Sequence, residues 1–565
     1  MAVTAGTTGI ATGITSGPSD ETLHGDHFRS GPATQVRAFH HAVEGGDWAL
    51  VDRLWSGGIV ALVRQDAGLL QRALERLPAE VLATHPSMQV FRDVLPVWAS
   101  DSDTDGYRAT MRTYADSCAR CCGPGWEELP VGELLIVATG YLVHLRQCGR
   151  PADSAAVGDR IAAALAAHPV SGRALDGRTA WFHLQRGLTS TVLLDDAVAV
   201  RSYRRAWERG TGAGVDVVRA HAGAMLAVTY AMEGDRARAL RWSEQGRSID
   251  VRGWPGRRVA RVGLDLAAGL LALDRLDDTA VTRSLDDLAD GADPAVLWPF
   301  VCFLAASHAM ATGRAAEGLI RLDRSRAVHD ADQSGPGAAT DLVDRARADL
   351  LVACGRGDQA AAVIARGGVG RPWMRVPAAR LRSFGHAPGP RPGGPVRAGP
   401  AAWSADTPER DRVELLLLGA VEARRAGSDD EATRLACQAF DQYQRSGTLR
   451  PFASLASRDL ADLADLADVA DLADLAGRRP ASDAAAHLAG RPPVYPEALV
   501  WIGLSRSEQS VLEALSGTGS RQAIAGALYV SVNTVKTQLA SVYRKLGCTN
   551  RADALRLAAE HGLLP

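Results

Sequence analysis

Ser531-Val-Asn-Thr-Val-Lys-Thr-Gln-Leu-Ala-Ser-Val-Tyr-Arg-Lys-Leu546 is the stretch on which the reading of this chain turns. Ser531 suits an N-cap, because its hydroxyl can accept one of the N–H groups that a helix start leaves free. Val535, Leu539, Val542 and Leu546 recur at helical spacing, so at ~100° per residue they fall on one apolar stripe. The opposite face carries Asn533, Lys536, Thr537, Ala540, Ser541 and Arg544, which are mostly short and polar, with two cations. Such a face fits a groove walled by phosphate, which repels acidic side chains. No Asp or Glu occurs between Glu513 and Asp553.

Working outward, Ser505 and Glu508 form a capping box ahead of Val511, Leu512 and Leu515, which predicts a first helix. A turn at 516–520 leads to the short, small-residue stretch Arg521-Gln-Ala-Ile-Ala-Gly-Ala-Leu528, and Tyr529-Val-Ser531 then turns into the groove-facing helix. The pair reads as a helix-turn-helix.

These residues resemble the DNA-binding domain of the LuxR family. The likeness is carried by Leu504, Ser505 and Glu508, Ile524-Ala525, Ser531, Thr534-Val535-Lys536, Leu539, Lys545-Leu546-Gly547 and Arg551. Ala523 stands where the family usually has an acidic or amide residue, and Gln538 replaces a usual His. The resemblance implies that Lys536, Thr537, Ala540 and Ser541 face base edges. It implies that Thr534, Gln538, Lys545 and Arg551 touch phosphates or support the fold. The partners it implies are double-stranded DNA, a second copy of the chain on paired half-sites, and RNA polymerase. The small-residue surface Ala554, Leu555, Ala558 and Ala559 on a last helix is the expected dimer contact.

Composition agrees with a local rather than a global role for charge. The formal net charge is −2, yet residues 501–565 hold seven Lys and Arg against four Asp and Glu, leaving +3. Lys536 and Lys545 are the chain's two lysines; every other basic position is Arg. The N-terminal residues lack the basic start and apolar run of a secretory signal, and 134–145 is too short and mixed to span a bilayer, so a cytoplasmic protein without membrane contact is expected.

Upstream, from about 34 to 382, Ala-rich apolar runs alternate with breaks at Gly149-Arg150, Asp195-Asp196, Gly234-Asp235, Asp274-Arg275, Gly313-Arg314 and 355–358. A recurrence near ~40 residues, with strand signals nearly absent, predicts an all-α array of stacked helical hairpins. Ala224 to Leu240 resembles a tetratricopeptide-like repeat. Phe39 to Trp48, Leu74 to Leu82 with His85-Pro86, and Leu449 to Phe452 are similar to the helical sensor region of the large MalT-like LuxR regulators, which implies a protein or small-molecule signal. Those regulators begin with an ATPase module, but no Gly-Lys-Ser/Thr loop is present here, and the Gly-rich run at 388–395 is broken by prolines that offer phosphate no N–H.

The expected domain plan is a disordered 1–33, the array at 34–382, a Pro/Gly-rich linker at 383–408, a further helical pair at 409–456, a low-complexity spacer at 457–500, and the DNA-binding domain at 501–565. The spacer's Asp-Leu-Ala triplets drift around a helix, so its leucines are not expected to hold one face. Eight dispersed cysteines read as reduced and helix-packing, including Cys118, Cys121 and Cys122, and no metal or cofactor is expected. No nucleophile and base pair suggests an enzyme. The leading reading is a DNA-binding transcriptional regulator, an activator. The alternative is a helical-repeat scaffold with a vestigial DNA-binding domain.

Overall fold

The computed structural model describes residues 32–98, 104–123, 125–167, 173–252, 256–290, 296–332, 339–368, 371–384, 407–471, 484, 486–497, 499, 502–517, 520–561 and 563–564. The expected disordered start therefore lies almost wholly outside the described residues, as do most of the 383–408 linker and part of the spacer.

Eight of the breaks between helices are built alike. In each, one residue takes a left-handed backbone: Gly46, Gly149, Leu194, Gly234, Leu276, Gly313, Gly355 and Gly427, with φ from 56 to 93°. The next residue donates its N–H to the carbonyl five positions back, as from Arg150 to Leu145, Asp235 to Tyr230, Asp277 to Ala272 and Arg356 to Leu351. That bond closes the helix end and reverses the chain. Where the next residue is Asp, its carboxylate then caps the following helix: Asp47, Asp195, Asp235 and Asp277 each accept the N–H three residues on. The recurring breaks in the sequence are thus stop and start signals in two adjacent letters.

Helices follow in the order α1 (Pro32–Gly45), α2 (Trp48–Gln65), α3 (Ala67–Glu75), α4 (Ala79–Thr84), α5 (Pro86–Trp98), α6 (Thr104–Cys121), α7 (Val131–Gln147) and α8 (Pro151–Ala167). The array continues with α9 (Arg173–Val192), α10 (Asp196–Ala213), α11 (Asp216–Glu233), α12 (Arg236–Ser248), α13 (Val259–Asp274), α14 (Asp278–Asp290), α15 (Trp298–Ala311), α16 (Ala315–Asp332), α17 (Ala339–Ala353) and α18 (Gly357–Gly367). Each hairpin packs its two helices together, and the first helices α11, α13, α15 and α17 also pack in sequence, so one core runs from α9 through α18, while the helices before α9 close around smaller cores. Small residues permit this: a Cβ on Gly263 of α13 would sit 3.1 Å from Ala224 of α11. No β-strand forms among the described residues, and the fold is all-α.

After α19 (Arg375–Ser383), the pair α20 (Glu409–Arg425) and α21 (Asp429–Ser446) packs onto the array rather than standing apart. Its fastening is ionic and buried. Arg410 reaches Asp274 at 2.6 Å, Arg345 grips Asp411 bidentately at 2.6 and 2.7 Å, and Arg380 pairs with both Asp349 and Glu414. Gly234 makes room, since a Cβ there would lie 2.9 Å from the Arg410 nitrogen.

Two short helices follow, α22 (Arg450–Ala453) and α23 (Ser457–Asp471). The triplet repeat is corrected here. Leu460, Leu463, Ala464 and Ala467 are buried against α20 and α21, because over two turns those positions do hold one face before the drift accumulates. The chain then crosses back over the array, with Arg491 bonded to Asp278 and to the Leu276 carbonyl, and Tyr495 over the Arg380 guanidinium at 4.6 Å.

Candidate nucleic-acid interface

The C-terminal domain has its own core of Ile502, Leu512, Leu515, Ile524, Val535, Leu539, Val542, Leu546, Ala554 and Ala558. It consists of α24 (Arg506–Gly517), α25 (Arg521–Ala527), α26 (Val532–Leu546) and α27 (Arg551–Glu560). The capping box forms as expected: Glu508 accepts the Ser505 N–H at 2.6 Å and Ser505 Oγ accepts the Glu508 N–H at 3.3 Å. Ser531 caps α26 through the Thr534 N–H at 3.0 Å, and Gly547 ends it in the left-handed region. Val535, Leu539, Val542 and Leu546 are all buried, which turns the opposite face of α26 to solvent.

On that face Asn533, Thr534, Lys536, Thr537, Ala540 and Arg544 are exposed. Lys536 makes no hydrogen bond or ion pair among the described residues. Thr537 spends its hydroxyl on the Asn533 carbonyl at 3.0 Å, which presents its methyl outward, and Thr534 Oγ1 sits 2.8 Å from Ser531 Oγ. Arg544 bonds Ser541 Oγ at 3.3 Å and keeps most of its donors free for an anion.

Lys545 and Arg551 support the fold, one of the two roles expected of them, and Ser541 departs from its expected place. Lys545 donates at 2.6 Å both to Glu508 and to the Gly503 carbonyl, so one of the two lysines clamps α26 to the start of α24. Arg551 donates to the Leu515 carbonyl at 2.8 Å. Ser541, expected at base edges, is half-buried and its hydroxyl bonds Glu508. Burial opposes ionisation of Glu508, but the bonds from Lys545, Ser541 and Ser505 together outweigh it and hold the carboxyl at about 2. Gln538 is half-buried on the flank of the helix, and Ala523 is exposed with its N–H capped by Ser520 at 3.0 Å.

The expected dimer surface is also corrected. Ala554 and Ala558 are fully buried in the domain core and Leu555 packs against it, leaving Ala559 alone of the four exposed. A short amphipathic helix spends its small residues on its own domain first.

Sequence reading missed Tyr529. It occupies the turn before α26 at φ 55° and is 96% exposed, flanked by the exposed Val530 and Val532. A tyrosine on a left-handed backbone with its ring in water gains no packing in return for the strain. The signal in the sequence was an aromatic where the turn geometry favours Gly or Asn.

Elsewhere, Cys118, Cys121 and Cys122 are not brought together with a ligand-spaced histidine among the described residues. Burial first, then the neighbouring acids and thiols, pushes all three thiols up, Cys122 to about 12. His144 pairs with Asp116 at 3.0 Å, with Cys148 at 3.5 Å. His40, His41 and Glu44 approach one another on the surface of α1. No helix among the described residues is long and apolar enough to cross a membrane.

Residues 503–558 match the family described as bacterial regulatory proteins, luxR family. A stretch of 61 residues is 41% identical to the transcriptional regulatory protein YdfI of Bacillus subtilis (strain 168), covering 11% of this chain and 29% of that protein. The chain thus spans less than a third of the length of that relative. The C-terminal domain is a LuxR-type helix-turn-helix, the module of a DNA-binding transcriptional regulator.

Proposed function

We propose that the whole chain is a sequence-specific transcriptional activator, with α26 in the major groove and a tetratricopeptide-like array that receives a protein or small-molecule signal. The observation that carries this is Lys536. It stands exposed and unpaired among the described residues at the centre of a face without acids, while Lys545, of the same residue type, is consumed by the fold. Arg544 about two turns on and Tyr529 at the helix start extend the same surface. The likeness of the array to MalT-like regulators supports the signal-receiving and activating parts. In this reading the chain binds as a cytoplasmic homodimer to half-sites roughly 34–36 Å apart, engages RNA polymerase, and catalyses nothing.

Selection of bound sequences from random double-stranded DNA tests it. A defined motif is expected, and Lys536→Ala should weaken the selected site by roughly 1–3 kcal/mol if it reads a base, at matched salt. A protein that selects no motif, with Lys536→Ala without effect, would support the alternative of a scaffold with a vestigial domain. Transcription in vitro from the selected site separates activation from repression.

A further inference from the structure

Cys148 is the exposed member of the chain's eight cysteines, and it does not stand alone. It caps the C-terminal end of α7 four residues beyond His144, so the two side chains share one helix face. Cys148 Sγ lies 3.5 Å from His144 Nε2, and the other ring nitrogen, Nδ1, lies 3.0 Å from Asp116 Oδ1 on α6. The three meet because α6 packs on α7, not through spacing within one helix. The Tyr141 ring stacks beside the imidazole, with centroids 6.5 Å apart.

The order thiol, imidazole, carboxylate has a chemical sense. The Asp116 carboxylate only accepts, so Nδ1 carries the hydrogen and Nε2 is left to take the thiol proton. The imidazolium formed in this way sits between a carboxylate and a thiolate, in the last turn of a helix whose free carbonyls favour a cation. The arginines on either side of Cys148 in sequence are engaged elsewhere, Arg146 with Gln185 and Thr189 and Arg150 with Asp153 at 2.7 Å. The imidazole is therefore the thiol's partner. Burial pushes the thiols of Cys118, Cys121, Cys122 and Cys354 up, which is the opposite setting. A cysteine and a base within hydrogen-bond reach, with the base oriented by a third group, is the arrangement that activates a nucleophile. Here it opens on solvent, which suits capture of a small reactive molecule rather than turnover of an enclosed substrate.

We propose that Cys148 is a modification site for soft electrophiles of the α,β-unsaturated carbonyl class, with His144 as its base and Asp116 as the residue that positions the imidazole. Nε2 takes the Sγ proton, sulfur forms a bond to the β carbon, and the double-bond pair shifts onto the carbonyl as an enolate. The imidazolium then returns the proton to the α carbon, so thiol and electrophile combine with no group lost. This goes beyond the proposed function and does not rest on it.

The test uses the full-length protein and methyl vinyl ketone. Adduct formation at each cysteine is followed by peptide mass spectrometry, with glutathione as the reference thiol. At about pH 6.5, Cys148 should react roughly ten-fold faster than glutathione and ahead of the other cysteines. His144→Gln should remove that advantage, and Asp116→Asn should reduce it about three-fold. At about pH 9.5, where an ordinary thiol is already ionised, the natural protein and both variants should agree within about two-fold. Circular dichroism checks that the variants are folded. No advantage over glutathione at the lower pH, or a rate unchanged by either substitution, overturns the proposal. So does an equal loss in His144→Gln at both pH values, because His144 would then govern access to the sulfur and not its ionisation.

Discussion

The carboxylate of Asp358, in the first turn of α18, accepts the backbone N–H of Ile502 at 2.7 Å across 144 residues of sequence. Ile502 belongs to the core of the DNA-binding domain, so the bond ties that domain directly to the array. Burial raises the Asp358 carboxyl, with the Ile502 N–H and His561 acting against it.

Asp358→Ala should therefore loosen the junction. The expected result is faster amide exchange at Ile502 by about five- to ten-fold, corresponding to about 1 kcal/mol for one lost hydrogen bond. Asp358→Asn keeps an acceptor and should exchange nearly as slowly as the natural protein. Equal exchange in all three would mean that the bond does not hold the domain.

The clamp around Glu508 should give the DNA-binding domain a particular acid sensitivity. Its carboxyl lies at about 2 when folded against an ordinary 4.5. The native state thus binds fewer protons, and the stability is fully present above 4.5 and is lost as pH falls towards 2. Thermal melts of the full chain between those pH values should show the domain's transition dropping, and Glu508→Gln should flatten that drop while lowering stability at neutral pH by about 1–2 kcal/mol.

Tyr529 invites a trade. Relieving its left-handed backbone with Gly is worth about 1–2 kcal/mol, offset by about 0.5–1 kcal/mol of extra unfolded-state freedom. Tyr529→Gly should accordingly melt at an equal or slightly higher temperature and yet bind DNA several-fold more weakly. Unaltered DNA affinity in this variant would remove Tyr529 from the interface.

Arg410→Ala should be costly, because Asp274 would remain buried without its closest cation. A loss of about 3–5 kcal/mol is expected. Urea titration of the full chain should show an earlier midpoint, and replacing both partners with Met and Leu should recover much of the difference.

Ala558→Arg should unfold the DNA-binding domain, since a guanidinium cannot be accommodated at a fully buried alanine. Its exposed neighbour provides the control: Ala559→Arg should leave the domain's melt unchanged. Circular dichroism of the two full-length variants distinguishes them.

The sequence by itself determined whatever depends on near neighbours. The stripe Val535, Leu539, Val542 and Leu546, the Ser505 and Glu508 box, and the Gly-Asp turns are set by helical period and by groups three to five residues apart, and all stand in the structure as read. Tertiary packing decided which polar side chains remained free. Lys536 and Lys545 are of one residue type on one helix, but the return of α24 beneath α26 brings Glu508 to Lys545 and, among the described residues, no partner to Lys536. The same holds for Asp274 and Arg410 and for Ala558 inside its domain. Partners 37 to 136 residues apart leave no periodic trace in the sequence, because their meeting depends on how whole helices cross rather than on spacing within one.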